Sequence, residues 1–181
     1  MPRPLPQVVL TMAKPVRIAL TGFMGVGKSS VARHLGNILA CHRVDLDHVI
    51  EARSGRISAQ IIDADGIDEY RRRETEALIA EVASPEAAIL SLGGGTWTIP
   101  ENREIIKMAG FTTVWLESSF DHCWYNIKFS KKERPLARSK SAAIELFEER
   151  KKHYSLADIH FVIRPEYNSY DIAAHLAEEF C

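Results

Sequence analysis

Gly22-Phe23-Met24-Gly25-Val26-Gly27-Lys28-Ser29 is the stretch from which the rest of the chain can be read. Its spacing is G-x-x-x-x-G-K-[ST], and each fixed position has a physical reason. Glycine lets the backbone take φ > 0 and approach a phosphate with no Cβ in the way. The turned backbone then directs successive N–H groups into one anion-binding hollow. Lys28 brings a mobile ammonium to the β/γ-phosphates, and the Ser29 hydroxyl suits Mg²⁺. Both flanks agree. Val16-Arg17-Ile18-Ala19-Leu20 reads as a buried strand entering the loop, and Ser29 to Ala40 as a helix whose N-terminal dipole adds to the site. Gly25, Val26, Gly27, Lys28, Ser29 and Ser30 are therefore the expected nucleotide-binding residues. A glycine-rich turn that merely joins a strand to a helix is the plain alternative, and two correct flanks argue against it. The stretch implies a nucleoside triphosphate.

Size and composition limit what surrounds that loop. The chain has 181 residues, enough for one well-buried domain with a small lid and too few for two ordinary ones. A hydrophobic content of 46% with 26% charged residues is that of a globular chain, and a net charge of −1 argues for neither nucleic acid nor a membrane surface. No apolar run approaches the length of a transmembrane helix. Residues 1–15 carry Pro2, Pro4, Pro6 and Pro15 and read as a loosely ordered lead-in, with Met12 an alternative start; 16–181 reads as the single domain. Cys41, Cys123 and Cys181 are odd in number and widely spaced, which points to reduced thiols in the cytoplasm.

Beyond the loop, strands alternate with helices. Arg43–Asp47 reads as a short strand ending in two acids, Ala87–Leu92 as a buried strand, Phe111–Leu116 and Asp158–Ile163 as two more. Helical patterns fall over 57–65, 67–83, 100–109, 119–129, 141–154 and 170–180. The alternation predicts an α/β fold: a three-layer α/β/α sandwich on a five-stranded parallel sheet, of the nucleoside-monophosphate-kinase P-loop type with a mobile lid over about 128–140. In such sheets ligands bind beyond the carboxyl ends of the strands. Those ends carry the P-loop, the two aspartates and Gly93-Gly94-Gly95.

Asp45 and Asp47, two apart on an extended segment, point the same way. Beside a P-loop one can hold a Mg²⁺ shell and the other an acceptor hydroxyl; a strand-end acid capping the next helix is the plain alternative. Of Arg71-Arg72-Arg73, the first sits within roughly 40° of Ile67, Leu78 and Val82 on the helical wheel, in the middle of the apolar stripe. A guanidinium there needs an anion: either Glu74 or a substrate carboxylate. Gly93, Gly94 and Gly95 invite a ligand close to backbone N–H groups, and their strand lacks the usual Walker-B acid, leaving its duty to Asp45. Lys131 to Lys140 is a basic connection containing Arg134-Pro135; a solvated loop is one reading and a lid that delivers an arginine is the other. Arg150 reads as surface charge, and the seven histidines show no ligand spacing.

Together Gly22–Ser29, Val44-Asp45-Leu46-Asp47, Asp65 to Arg72, Leu92 to Gly95, Arg134-Pro135-Leu136 and Glu149-Arg150 resemble the shikimate kinase family in order and spacing, from about Val16 to the C-terminus. The resemblance implies ATP-dependent phosphorylation of the 3-hydroxyl of shikimate in aromatic amino-acid biosynthesis, by a cytoplasmic monomer with no nucleic-acid or membrane partner. It implies Lys28, Asp47 and Arg134 as catalytic groups, with Arg134 also on the nucleotide. Ser29 and Asp45 serve Mg²⁺, the latter through water. Asp47, Arg71, Arg150 and the backbone of Gly93, Gly94 and Gly95 hold the acceptor. The chain departs from the family at Thr96-Trp97, where small residues are usual, which predicts a narrowed or reshaped acceptor pocket. It also has Asn126-Ile127-Lys128 in the region where an arginine often packs on adenine. A gluconate- or quinate-type kinase of the same fold, or a nucleotide-binding pseudokinase or switch, are the alternatives.

Overall fold

Continuous burial marks the first strand. In the computed structural model, which describes residues 15–181, β1 (Ile18–Thr21) has all four residues buried, as a strand covered on both faces requires. The lead-in expected over 1–15 and Met12 as a start lie, apart from Pro15, outside the described residues. α1 (Lys28–Ile38) follows the P-loop, and Leu35 and Val31 on its inner face are fully buried. After β2 (Arg43–Asp45) come α2 (Leu46–Ser54), α3 (Ser58–Asp65) and α4 (Ile67–Ala83). Gly66, at φ 89°, ψ 164°, breaks the helical path between the last two. β3 (Ile89–Ser91) leads into a 3₁₀ turn, Thr96–Thr98. α5 (Pro100–Met108) opens on its proline and closes before Gly110, and β4 (Thr112–Glu117) follows. α6 (Phe120–Phe129), a connection with a 3₁₀ turn at Pro135–Ala137, α7 (Lys140–Tyr154), β5 (Ile159–Val162) and α8 (Ser169–Phe180) complete the chain.

The sheet is parallel throughout in the order β2-β3-β1-β4-β5. Its centre is apolar: Ile18, Leu20, Ile89, Leu90 and Val114 have no exposed surface. Full burial of such side chains contributes roughly 1.5–3 kcal/mol each, so the sheet is the rigid base from which the loops hang. Sequence order reverses on either side of β1, and the crevice at that switch is where the P-loop emerges. Among the described residues no helix is long and apolar enough to cross a membrane.

One local expectation fails. Arg43–Asp47 is not extended throughout: the strand stops at Asp45 and a helix starts at Leu46. The Asp45 carboxylate accepts the N–H of His48 at 3.3 Å and caps that helix, so Asp47 lies in the first helical turn. Period-2 reasoning therefore does not apply to the pair, although both carboxylates line one cavity. The capping role and a place in the cleft are not exclusive.

Candidate active site

The P-loop is held in shape by its neighbour α6. Gly25 has φ 81°, and a Cβ there would strike the carbonyl of Cys123. Asn126, one turn on, donates from Nδ2 to the Gly25 carbonyl at 2.8 Å, so the residue in the region expected for adenine contacts braces the loop. Lys28 is buried, and its Nζ donates to the carbonyls of Gly22 at 2.7 Å and Phe23 at 3.0 Å. Burial, then the nearby Arg134, lowers its pKa to about 8 against the opposing pull of Asp47. The first turn of α1 has no side-chain cap, which leaves its N–H groups free for an anion. Ser29 Oγ donates to the Asp45 carboxylate, and Ser91 Oγ lies 3.5 Å from Ser29 Oγ. Ladder register pairs Asp45 with Ser91, so this serine stands where a Walker-B acid would.

These oxygens are hard donors of the kind Mg²⁺ takes, and Mg²⁺ is typically bound by one or two protein groups together with substrate phosphates. Among the described residues no group of three or more His, Cys, Asp or Glu side chains could hold a metal by itself. Ser29 and Asp45 thus fit a cation that arrives with a nucleotide.

Across the cleft, Asp47 is gripped at both oxygens. Tyr70 donates its hydroxyl to Oδ1 at 3.1 Å, and Lys132 donates Nζ to Oδ2 at 2.7 Å. Burial alone would push this carboxyl up; Lys132, Lys28 and the Tyr70 hydroxyl together hold it below the usual range. Arg71 meets both alternatives left open by its position. Its Nη1 donates to Glu74 Oε2 at 2.7 Å, and its guanidinium also lines a cavity. Glu74 is completely buried and accepts Thr96 Oγ1 at 2.6 Å. Arg150 is not surface charge: it is 5% exposed and lines the same cavity. Burial, reinforced among other effects by Arg71 nearby, lowers its pKa, and among the described residues it has no ion pair. Two inward guanidiniums against one carboxylate leave an unmatched positive charge, which suits an incoming anion.

The triple glycine makes room for this machinery. A Cβ at Gly95 would overlap the Arg71 guanidinium, and one at Gly94 would come within 3.2 Å of Arg150 Nη1. Tyr154, four residues after Arg150, donates its hydroxyl to the Gly94 carbonyl. Trp97 does not narrow the acceptor side: the 3₁₀ turn sends its indole into the core, fully buried, and it lines neither cavity. The connection 130–139 lies over the cleft, tied by Lys132 to Asp47 and by Arg138 to Asp63 of α3 at 2.6 Å. Arg134 lines the cleft with a buried Nε that has no hydrogen-bond partner, an orphan donor of the kind an anion satisfies.

Two cavities result. The first, about 340 Å³, is walled by the P-loop, Ser29, Asp45 and Ser91. The second, about 80 Å³, is walled by Ser58, Tyr70, Arg71, Glu74 and Arg150. They share Met24, Asp47, Gly93, Gly94, Lys132 and Arg134, so the two cavities adjoin along those residues. Sequence reasoning does not single out Lys132, Tyr70 or Ser91, and it marks Asn126 only as a departure near the adenine, not as a brace of the loop. A signal for Arg150 does exist: Ala143, Phe147 and Tyr154 lie within roughly 60° of it on the helix, the argument that picks out Arg71.

A P-loop after the central strand of a five-stranded parallel sheet, with a connection folded across the strand ends, is the architecture of the nucleoside-monophosphate-kinase-like P-loop kinases. Comparison with known proteins narrows the class. The family model described as shikimate kinase matches residues 24–180. The shikimate kinase of Vibrio cholerae is 35% identical over 152 residues, 82% of this chain and 86% of that protein. That of Symbiobacterium thermophilum is 39% identical over 103 residues, 57% of this chain and 58% of that protein. A solved shikimate kinase from Acinetobacter baumannii, in complex with shikimate, superposes with a TM-score of 0.84 at 27% identity, covering 92% of this chain and 93% of that one. The chain belongs to the shikimate kinase family.

Proposed function

We propose that this protein transfers the γ-phosphoryl group of ATP to the 3-hydroxyl of shikimate, giving shikimate 3-phosphate and ADP, as a cytoplasmic monomer in aromatic amino-acid biosynthesis. Family membership implies a kinase that uses ATP. The observation that carries the reading is the shared wall between a phosphate-binding cavity and a small cavity with an unmatched guanidinium.

Roles follow from position. The N–H groups of Gly25, Val26, Gly27, Lys28, Ser29 and Ser30 cradle the phosphates. Ser29 directly, and Asp45 through water, would hold Mg²⁺, which when bound offsets charge on the β- and γ-phosphates. Lys28 leaves the Gly22 and Phe23 carbonyls for the phosphates, and Arg134 satisfies its Nε on the same group. Arg71 and Arg150 clamp the acceptor carboxylate, with Gly93, Gly94 and Gly95 allowing it close to the backbone. Asp47 orients the attacking hydroxyl and accepts its proton. That oxygen bonds to the γ-phosphorus as the bond to the β–γ bridging oxygen breaks, and the electron pair leaves with ADP. Positioning and charge neutralisation supply the rate, because the loose transition state leaves the protein little covalent work. The connection over about 128–140 acts as the lid that excludes water.

A coupled ADP-release assay with shikimate, quinate and gluconate tests this. Shikimate-dependent turnover well above the other two is expected. Equal rates on the other acids, or ATP binding without transfer, would replace the reading with the corresponding alternative. Asp47→Asn should abolish transfer while ATP affinity stays within about fourfold, since its carboxylate serves the acceptor side.

A further inference from the structure

Lys132 stands on the carboxylate oxygen that an acceptor hydroxyl needs. Of the two oxygens of Asp47, Oδ1 is held by Tyr70, whose ring is buried in the core and whose hydroxyl also lies 3.4 Å from Ser58 Oγ. Tyr70 cannot withdraw without opening α4 from its neighbours. Oδ2 is held by Lys132, which comes from the lid on a flexible four-carbon stem and keeps 42% of its side chain in solvent. The lysine end of the pair is solvent-exposed, so the ammonium can leave the carboxylate into water while another donor takes its place. The incoming hydroxyl therefore takes Oδ2, and Lys132 is the group it displaces.

Apart from solvent, the cleft itself is open to the displaced ammonium. Among the described residues Asp47 is its only ion-pair partner. Lys132 lines both cavities at their shared wall, two residues from Arg134, so it is already at the boundary that a phosphoryl group crosses. An ammonium has three rotatable donors and makes a compact point charge, suited to oxygens whose positions shift during transfer.

We propose that Lys132 is a second lid-borne catalytic cation: released from Asp47 by the acceptor hydroxyl, it turns onto the equatorial oxygens of the phosphoryl group in passage. The acceptor oxygen bonds to phosphorus as the bond to the bridging oxygen of ADP breaks, the electron pair leaves with ADP, and the hydroxyl proton moves to Oδ2 of Asp47. Lys132 keeps all its protons throughout and contributes charge alone. In the resting cleft both cations, Lys28 on loop carbonyls and Lys132 on Asp47, are parked on protein acceptors that the substrates replace.

This rests on the phosphoryl-transfer reading above, and the test separates the two. Wild type, Lys132→Met and Lys132→Arg are compared in two measurements with Mg²⁺ present: turnover on ATP and shikimate, and the affinity for ADP in the presence of saturating shikimate, with and without aluminium fluoride, a planar mimic of the transferring group. In Lys132→Met, kcat should fall about 30-fold with the ATP KM within about twofold. The tightening of ADP by aluminium fluoride should drop about tenfold, and Lys132→Arg should restore both to within about threefold of wild type. A lid residue with a purely structural role would not weaken the planar mimic selectively, nor be rescued by a second cation. Lys132→Met within threefold of wild type in kcat, or Lys132→Arg as impaired as Lys132→Met, overturns the proposal. Wild type inactive on shikimate but active on quinate or gluconate, with the same loss in Lys132→Met and rescue in Lys132→Arg on that acceptor, overturns the substrate assignment and leaves the role of Lys132 standing.

Discussion

Arg71 and Arg150 face one cavity but differ in what they leave behind when removed. Arg71 pairs with Glu74, a carboxylate with no exposed surface, so its truncation strands a buried charge. Breaking such a pair from one side costs roughly 3–5 kcal/mol. Arg150 is the unmatched cation, and its truncation leaves no carboxylate without a partner. Both Arg71→Ala and Arg150→Ala should raise the acceptor KM by tenfold or more, on the order of a lost charged contact. Only Arg71→Ala should also lower the melting temperature strongly; calorimetry alongside steady-state kinetics checks the contrast, and equal melting shifts would refute it. Cysteine chemistry separates by burial in the same way. Burial pushes the Cys123 thiol up to about 11, while Cys181 is exposed. At neutral pH a thiol reagent should modify Cys181 in the folded protein and reach Cys123 only on unfolding, because the thiolate is the reactive form. Peptide mapping after alkylation reads this directly.

At the scale of elements, the P-loop shows why similar glycines are not equivalent. Gly27 has φ 101° and open space where a Cβ would sit, so alanine there meets only the backbone penalty, about 1–2 kcal/mol. Gly25 adds a collision with the Cys123 carbonyl of α6, so alanine must push that helix away. In urea melts Gly25→Ala should be the more destabilising by at least about 1 kcal/mol, and a reversed order would mean α6 does not brace the loop. Features of this local kind are carried by the sequence itself. The P-loop, α4 and the five strands are legible because each is written in local spacing: glycines at fixed offsets, an apolar stripe, short runs of strand-forming residues. The first arginine of α4 stands out by its place on that stripe. What escapes is non-local. Spacing leaves Asp45 and Asp47 either together on a strand or with a helix cap at the strand end, and the choice is made only when β2 is seen to stop beside Ser91 of β3. Lys132 cannot be told from Lys131 until the lid is folded onto α2, and Trp97 faces the core because a 3₁₀ turn redirects it.

The whole molecule combines a stiff sheet with a cover attached at few points. Ile18, Leu20, Ile89 and Leu90 at the sheet centre are wholly buried, whereas between Ser130 and Ser139 only Ala137 is buried. The cover is otherwise held by two polar anchors, Lys132 to Asp47 and Arg138 to Asp63. The second of these has side chains 64% and 46% exposed, and an exposed pair contributes about 0–1 kcal/mol, too little to alter global stability measurably. It can still govern local opening, because segments with few buried contacts open independently of the sheet. Arg138→Ala should therefore leave the melting temperature within about 2 °C of wild type while amide exchange over 130–139 accelerates several-fold. ATP with the acceptor should return most of that protection, since ligands that engage Arg134 hold the same segment from inside the cleft. Hydrogen exchange read by mass spectrometry resolves the two regions in one experiment. Exchange over 130–139 that is unchanged by the substitution would mean that Asp63 does not anchor the cover, and that the pairing with Asp47, together with Ala137, is sufficient to keep it closed.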